Sequence, residues 1–285
     1  MHNAITVGMD GSAESVNAVA WAAREARRRG LPLQLVRVDD GPSPPTSLPE
    51  CDARAGSERN TLKGAIRALS YGNPGMDIMS SILTGPAAPA LVNAARNSAA
   101  LVVGSQGRTA LEGFLIGSVA LAVTAKALCP VVLIPAPRPQ TYSPRRAGRA
   151  AAEPVVVGVD LDHSCDEVLT QAFAMAALRE APLIIIHTWF TPLLTDTSSG
   201  LPEPETTKQG QLAAIAGPWL SKYPDTPVTE RLVHGTAGHA LHTAGGHARL
   251  LVVGRRNTPS QRLGSTLHSV IRHVTTCPVV VVPHD

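Results

Sequence analysis

Two tandem copies of an open, doubly wound, parallel α/β sheet are the fold this sequence predicts, and three observations predict it. The first is an internal repeat. Ile5-Thr6-Val7-Gly8-Met9-Asp10 returns as Val156-Val157-Gly158-Val159-Asp160, and Leu101-Val102-Val103-Gly104 returns as Leu251-Val252-Val253-Gly254, each 150 residues on. Leu83-Thr84-Gly85 has its counterpart in Val233-His234-Gly235, and Cys129-Pro130-Val131-Val132 in Cys277-Pro278-Val279-Val280. The second is alternation. Short β-branched runs are followed by helical patterns, which implies right-handed crossovers and parallel strands. The third is composition. The chain is 44% apolar but only 3% aromatic, so its core is built from Ala, Val, Leu and Ile, as in strands buried on both faces.

The elements follow in order in the first copy. Ala4–Met9 reads as a strand, and Ser12 offers an N-cap to a helix reaching Arg29. Arg24, Arg27, Arg28 and Arg29 lie toward the negative end of that helix, with Gly30 beyond it as a C-cap. Leu33–Val38 is the second strand, and residues 39–56, rich in Pro, Ser and Asp, form a long loop. Ser57 caps a helix to about Ser70, Ile78–Leu83 is the third strand, and a helix runs from about Pro89 to Asn97. Leu101–Val103 and Val131–Ile134 are the fourth and fifth strands, with a helix opening at Gly117-Ser118 between them. Domains over 1–136 and 154–285, joined by a linker over 137–153, are the expected division.

Charge and cysteine usage narrow the function classes. The net charge is +3, with 16 basic and 10 acidic side chains in residues 1–150 against 9 and 12 in residues 151–285. Four arginines, Arg138, Arg145, Arg146 and Arg149, fall in or beside the Pro- and Ala-rich linker without interleaved aromatics, which is a solvated stretch and not a nucleic-acid face. Cys51, Cys129, Cys165 and Cys277 make no Cys-x-x-Cys pair; Cys129 and Cys277 precede prolines at strand starts and read as buried reduced thiols. No apolar run has membrane-spanning length and no leader pattern precedes the first strand, so a cytoplasmic protein is expected.

Nine of the ten histidines lie in the second half, and His239 and His242 share a helix face. Neither they nor His234 and His247 have a Glu or Cys at ligand spacing, so no metal site is assigned. No Gly-x-x-x-x-Gly-Lys-Ser/Thr loop exists, which excludes a P-loop ATPase. Asp10-Gly11-Ser12-Ala13 is not a dinucleotide fingerprint. A receiver domain needs an Asp ending strand three and a Lys ending strand five, where Leu83-Thr84-Gly85 and Ile134-Pro135 stand.

One stretch carries chemistry. The strand Leu101-Val102-Val103 ends at Gly104, Gly107 follows, and after nine residues Gly117-Ser118 opens a helix. Glycines admit close approach to backbone N–H groups, and a helix N-terminus presents unsatisfied amides and a positive dipole end. Together they suit a phosphate, with the Ser118 hydroxyl as a further ligand.

That pattern, Gly104-x2-Gly107-x9-Gly117-Ser118, within a domain opening Val7-Gly8-Met9-Asp10-Gly11-Ser12 and closing Cys129-Pro130-Val131-Val132, resembles the universal stress protein family in its tandem, actinobacterial arrangement. The resemblance spans essentially the whole chain. It implies an adenine-nucleotide alpha-hydrolase-like fold of strand order 3-2-1-4-5, which places a crevice at the carboxyl ends of strands one and four. It further implies ATP as cofactor, with Mg2+ as companion, bound by Gly8, Asp10, Val38, Gly104, Gly107, Arg108, Gly117, Ser118 and Val119. Asp10 and Val38 would lie near the adenine, and the glycine motif would hold ribose and phosphates.

The second copy keeps Gly158, Asp160, Gly254, Gly264 and Ser265. However, Asn257 replaces the middle glycine, only six residues separate it from Gly264, and Leu161-Asp162-His163 follows Asp160. A loop three residues shorter takes a different path, so weaker binding is expected there. Arg255 and Arg256 are the cations left to meet a phosphate. The expected role is nucleotide-dependent regulation in stress or growth arrest. A slow ATP hydrolase, or a partner-binding scaffold without nucleotide, is the alternative. The fifth strands are expected to pair the two domains within the chain, and a homodimer is compatible with the family.

Overall fold

A computed structural model of the chain describes residues 3–39, 62–105, 116–136, 153–189, 205–258, 262–274 and 276–285. It divides into two compact units, Met1–Pro139 and Gln140–Asp285.

In the first unit the elements are β1 (Ile5–Gly8), α1 (Ala13–Arg29), β2 (Leu33–Asp39), α2 (residues 62–72), β3 (Ile78–Thr84), α3 (Ala87–Ala94), β4 (Ala100–Gly104), α4 (Ser118–Lys126) and β5 (Val131–Ile134). All strand pairs are parallel and the order is β3-β2-β1-β4-β5. The order reverses between β1 and β4, as the resemblance implies. Ile5, Leu101 and Val132 are wholly buried, whereas β3 alternates between half-buried and exposed because one of its faces meets solvent. The helix expected from Pro89 begins two residues earlier, after Pro86, whose fixed φ suits a helix start. Ser57 lies outside the described residues.

Helix α1 shows why the sequence folds as it does. Ser12 Oγ accepts the Ser15 N–H at 3.1 Å, and Gly30 at φ 62 closes the other end. Ala18, Ala22 and Ala26 face the sheet, and their small side chains let helix and strands approach closely. Glu25, fully buried, takes the Arg29 Nε–H at 2.7 Å, so part of the basic run neutralises a buried carboxylate.

The second unit comprises β6 (Val155–Gly158), α5 (Asp166–Ala177), β7 (Leu183–Trp189), α6 (Glu205–Lys222), β8 (Val228–His234), α7 (Ala237–Gly245), β9 (Leu250–Arg256), α8 (Ser265–His273) and β10 (Val279–His284). Its parallel order, β8-β7-β6-β9-β10, repeats the first. Phe173, buried on α5 and stacked on Tyr223 at 5.7 Å, fills space that alanine fills at Ala23 in α1. No helix among the described residues is long and apolar enough to cross a membrane.

Candidate functional site

The register of the first sheet brings two of the sequence-predicted residues, Asp10 and Val38, to one edge, with Ser105 following the predicted Gly104 beside them. Gly8 pairs with Val36 and Val7 with Val102, so Asp10, Val38 and Ser105 lie at the same level beyond the carboxyl ends of β1, β2 and β4. Asp10 Oδ1 receives the Ser12 N–H at 2.9 Å and the Ser12 hydroxyl at 2.6 Å. Ser15 Oγ in turn accepts the Gly11 N–H at 3.1 Å, with Gly11 at φ 83. The carboxylate is thereby anchored at the turn into α1. Beside Val38, the buried Arg37 guanidinium bonds Asp39 at 2.9 Å.

From β4 the Ser105 N–H donates to the Ile134 carbonyl at 2.8 Å, and the Ser105 carbonyl accepts the Gly117 N–H at 2.9 Å. The two ends of the glycine-rich connection therefore meet at the end of β4. Gly107 and Arg108 lie outside the described residues. Gly117 is the N-cap of α4 and has no side chain to cap it, so the first-turn amides, Val119 included, stand beside the exposed Ser118. An uncapped helix start with an adjacent hydroxyl fits a phosphate in donor chemistry and in charge.

Two of the glycines that the resemblance implies for the site, Gly8 and Gly158, lie directly under overlying helices. A Cβ on Gly8 would meet the Leu91 methyls at 3.2 Å, and one on Gly158 would meet Leu241 Cδ1 at 2.8 Å. What their missing side chains admit is the leucine of the overlying helix. At Gly117 φ is −60, open to any residue, so backbone conformation does not require glycine there.

The second unit departs further than its sequence indicates. β9 continues to Arg256, two residues beyond the end of its counterpart β4, paired with β10 through His284 and extended by Asn257 N–H to the His284 carbonyl at 2.7 Å. A Cβ on Gly254 would lie 2.6 Å from His284 Nε2, so that imidazole occupies the space the glycine leaves. Arg255 is buried, and desolvation pulls its guanidinium below the ordinary arginine range. Asp160 binds His163 Nδ1 at 2.9 Å, and Arg256 Nη1 lies 2.7 Å from His163 Nε2. Gly264 and Ser265 again begin a helix with no side-chain cap. Sequence reasoning missed His284 and the His163–Arg256 contact. The only local signal was the replacement of Gly-Ser by Leu161-Asp162-His163.

Other candidates resolve as packing. His242 meets His273 of α8 edge-on at 6.0 Å, and His273 Nδ1 bonds the Ser269 carbonyl at 2.8 Å. Trp189 and His234, paired across β7 and β8, contact edge-on at 5.1 Å. Among the described residues no group of three or more His, Cys, Asp or Glu side chains is placed to hold a metal. Cys129, Cys165 and Cys277 are buried free thiols.

The model of the universal stress protein family matches residues 1–135 and 152–283. A universal stress protein of Mycobacterium tuberculosis is 30% identical over 292 residues, covering 97% of this chain and 96% of that protein. One from Mycolicibacterium smegmatis is 29% identical over 293 residues, covering 98% and 96%. Among solved structures, a universal stress protein from Archaeoglobus fulgidus superposes with a TM-score of 0.70 at 19% identity, each chain fully covered.

Proposed function

The chain belongs to the universal stress protein family, and from that premise we propose that it binds an adenine nucleotide, ATP with Mg2+, in the crevice of its first domain and acts as a nucleotide-dependent regulator. One observation supports this above the others. The uncapped start of α4 at Gly117-Ser118 is tied by Ser105 to the carboxyl end of β4, in register with Asp10 and Val38 across the strand reversal. Ligands of open α/β sheets bind at such a reversal. In this reading the amides of Ser118 and Val119 and the Ser118 hydroxyl hold phosphate oxygens, and Gly104, Gly107 and Arg108 complete that shell. The Asp10 carboxylate, preoriented by Ser12, accepts from the base or the sugar. ATP supplies the triphosphate charge that such donors recognise.

In this reading the activity is binding, with slow ATP hydrolysis as the alternative. Purified protein stripped of nucleotide, then titrated with ATP in a calorimeter and assayed for phosphate release with Mg2+, tests both parts. Absence of any ATP binding would defeat the nucleotide reading, and steady phosphate release would favour a slow hydrolase.

Intramolecular pairing of the domains through β5 and β10 belongs to the same proposal. It rests on two short aliphatic strands that end their respective sheets, where unpaired backbone groups seek a partner. Slow hydrogen exchange of those β5 amides that do not bond to β4 is the expected result.

A further inference from the structure

The second domain carries a line of side chains across the crevice that its own strand order creates. Asp160 follows β6, Arg256 ends β9, and the two strands are neighbours in the sheet. Between them stands His163, with Nδ1 2.9 Å from Asp160 Oδ2 and Nε2 2.7 Å from Arg256 Nη1. A guanidinium has only donors, so the Arg256 N–H donates and Nε2 must accept. Nδ1 then carries the ring proton and donates to Asp160. Both bonds together require the neutral imidazole in this one tautomer.

We propose that Asp160, His163 and Arg256 form a clasp that closes the second domain's crevice where the first domain takes its ligand, and that protonation of His163 opens it. A proton on Nε2 turns the acceptor into a donor facing a cation, so the Arg256 bond is lost. Among the described residues, Asp160, Asp162, Cys165, Asp166 and Glu167 gather at this turn, and Arg256 reaches it from β9. The carboxylates hold an imidazolium toward the turn while Arg256 repels it. Both effects part the same contact. The released Arg256 is then a cation able to meet a phosphate. The ligand class rests on the nucleotide reading above; the clasp itself does not.

Cys165 reports on the clasp. Its thiol is buried beneath the same turn, donating to the Asp160 carbonyl at 3.1 Å and lying 3.5 Å from the His163 carbonyl. Native labelling with a pyridyl disulfide, mapped by peptide mass, measures how often the turn opens. At about pH 8, Arg256→Gln and His163→Ala should each label Cys165 about fivefold faster than the wild type, with Cys129 and Cys277 unchanged as controls for the fold. The ratio of Arg256→Gln to wild type should fall toward one as the pH is lowered and the wild-type clasp also opens. Thiol ionisation cancels in that ratio. Equal rates at the higher pH, or a ratio that does not change with pH, would overturn the proposal. The same preparations are titrated with ATP. A wild type that binds none defeats the nucleotide reading, while the labelling ratios still decide the clasp.

Discussion

The backbone N–H of Gly117 donates to the carbonyl oxygen of Ser105 across 2.9 Å, so the glycine-rich connection begins and ends at one point on the sheet. In the second domain, Gly264 stands at the equivalent helix start, but β9 runs on to Arg256 before its chain departs. The two connections therefore leave their sheets from different places, and one tight ATP per chain is expected. Gly117→Val fits the φ of −60 and should leave the fold intact while weakening ATP at least about tenfold, roughly 1.4 kcal/mol, by crowding the phosphates. Gly264→Val should leave the tight site unchanged. Calorimetric titration of both variants checks this; two equal sites, or a larger loss from Gly264, would contradict it.

Gly8 and Gly158 are equivalent in sequence but not in clearance. The added Cβ at Gly158 would overlap Leu241 at 2.8 Å, whereas at Gly8 it would press on Leu91 at 3.2 Å. Overpacking costs about 1–3 kcal/mol in a close-packed core. Gly158→Ala should fall in that range and Gly8→Ala below it, as read from urea denaturation. A greater loss at Gly8 would show that its glycine serves something other than helix packing.

Glu180 occupies the left-handed position after α5, at φ 49, where Gly30 stands after α1 at φ 62. Both helices then close with the same bond, Leu31 N–H to the Ala26 carbonyl and Ala181 N–H to the Ala176 carbonyl. A side chain costs about 1 kcal/mol in that conformation. Glu180→Gly should therefore stabilise the protein by about 1 kcal/mol in denaturant titration, an effect large enough to move the midpoint.

Burial pushes the Cys129 thiol up to about 11 and the Cys277 thiol up to about 12, with Glu153 adding to the second. Both should resist thiol reagents at neutral pH in the native state, and their labelling should rise about tenfold per pH unit until the thiols ionise. Because the folded pKa lies above that of the unfolded thiol, the folded state holds the proton longer. Stability should be unaffected below about pH 8 and fall by about 1.4 kcal/mol per pH unit for each thiol as pH rises from there toward the folded values. Denaturant titrations on Cys129→Ala and Cys277→Ala would show a flatter alkaline limb.

The amino-acid sequence by itself determined the repeat, the strand–helix alternation and the positions of Ser12, Gly30 and Gly117 at helix ends. These signals are local: a cap, a period or an aliphatic run is written in neighbouring residues. It also brought Asp10, Val38 and Gly104 to one edge, because a parallel sheet of that order places every strand's carboxyl end on the same side. Tertiary structure alone decided what faces that edge. Leu91 and Leu241 claim the space at Gly8 and Gly158, and His284 claims it at Gly254, because overlying helices and the neighbouring strand reach those positions from far along the chain. His163 and Arg256 lie 93 residues apart and meet only because β6 and β9 are adjacent across the strand reversal. No residue pattern states which side chain will cross a crevice, since that depends on how far β9 extends and where its last arginine is carried.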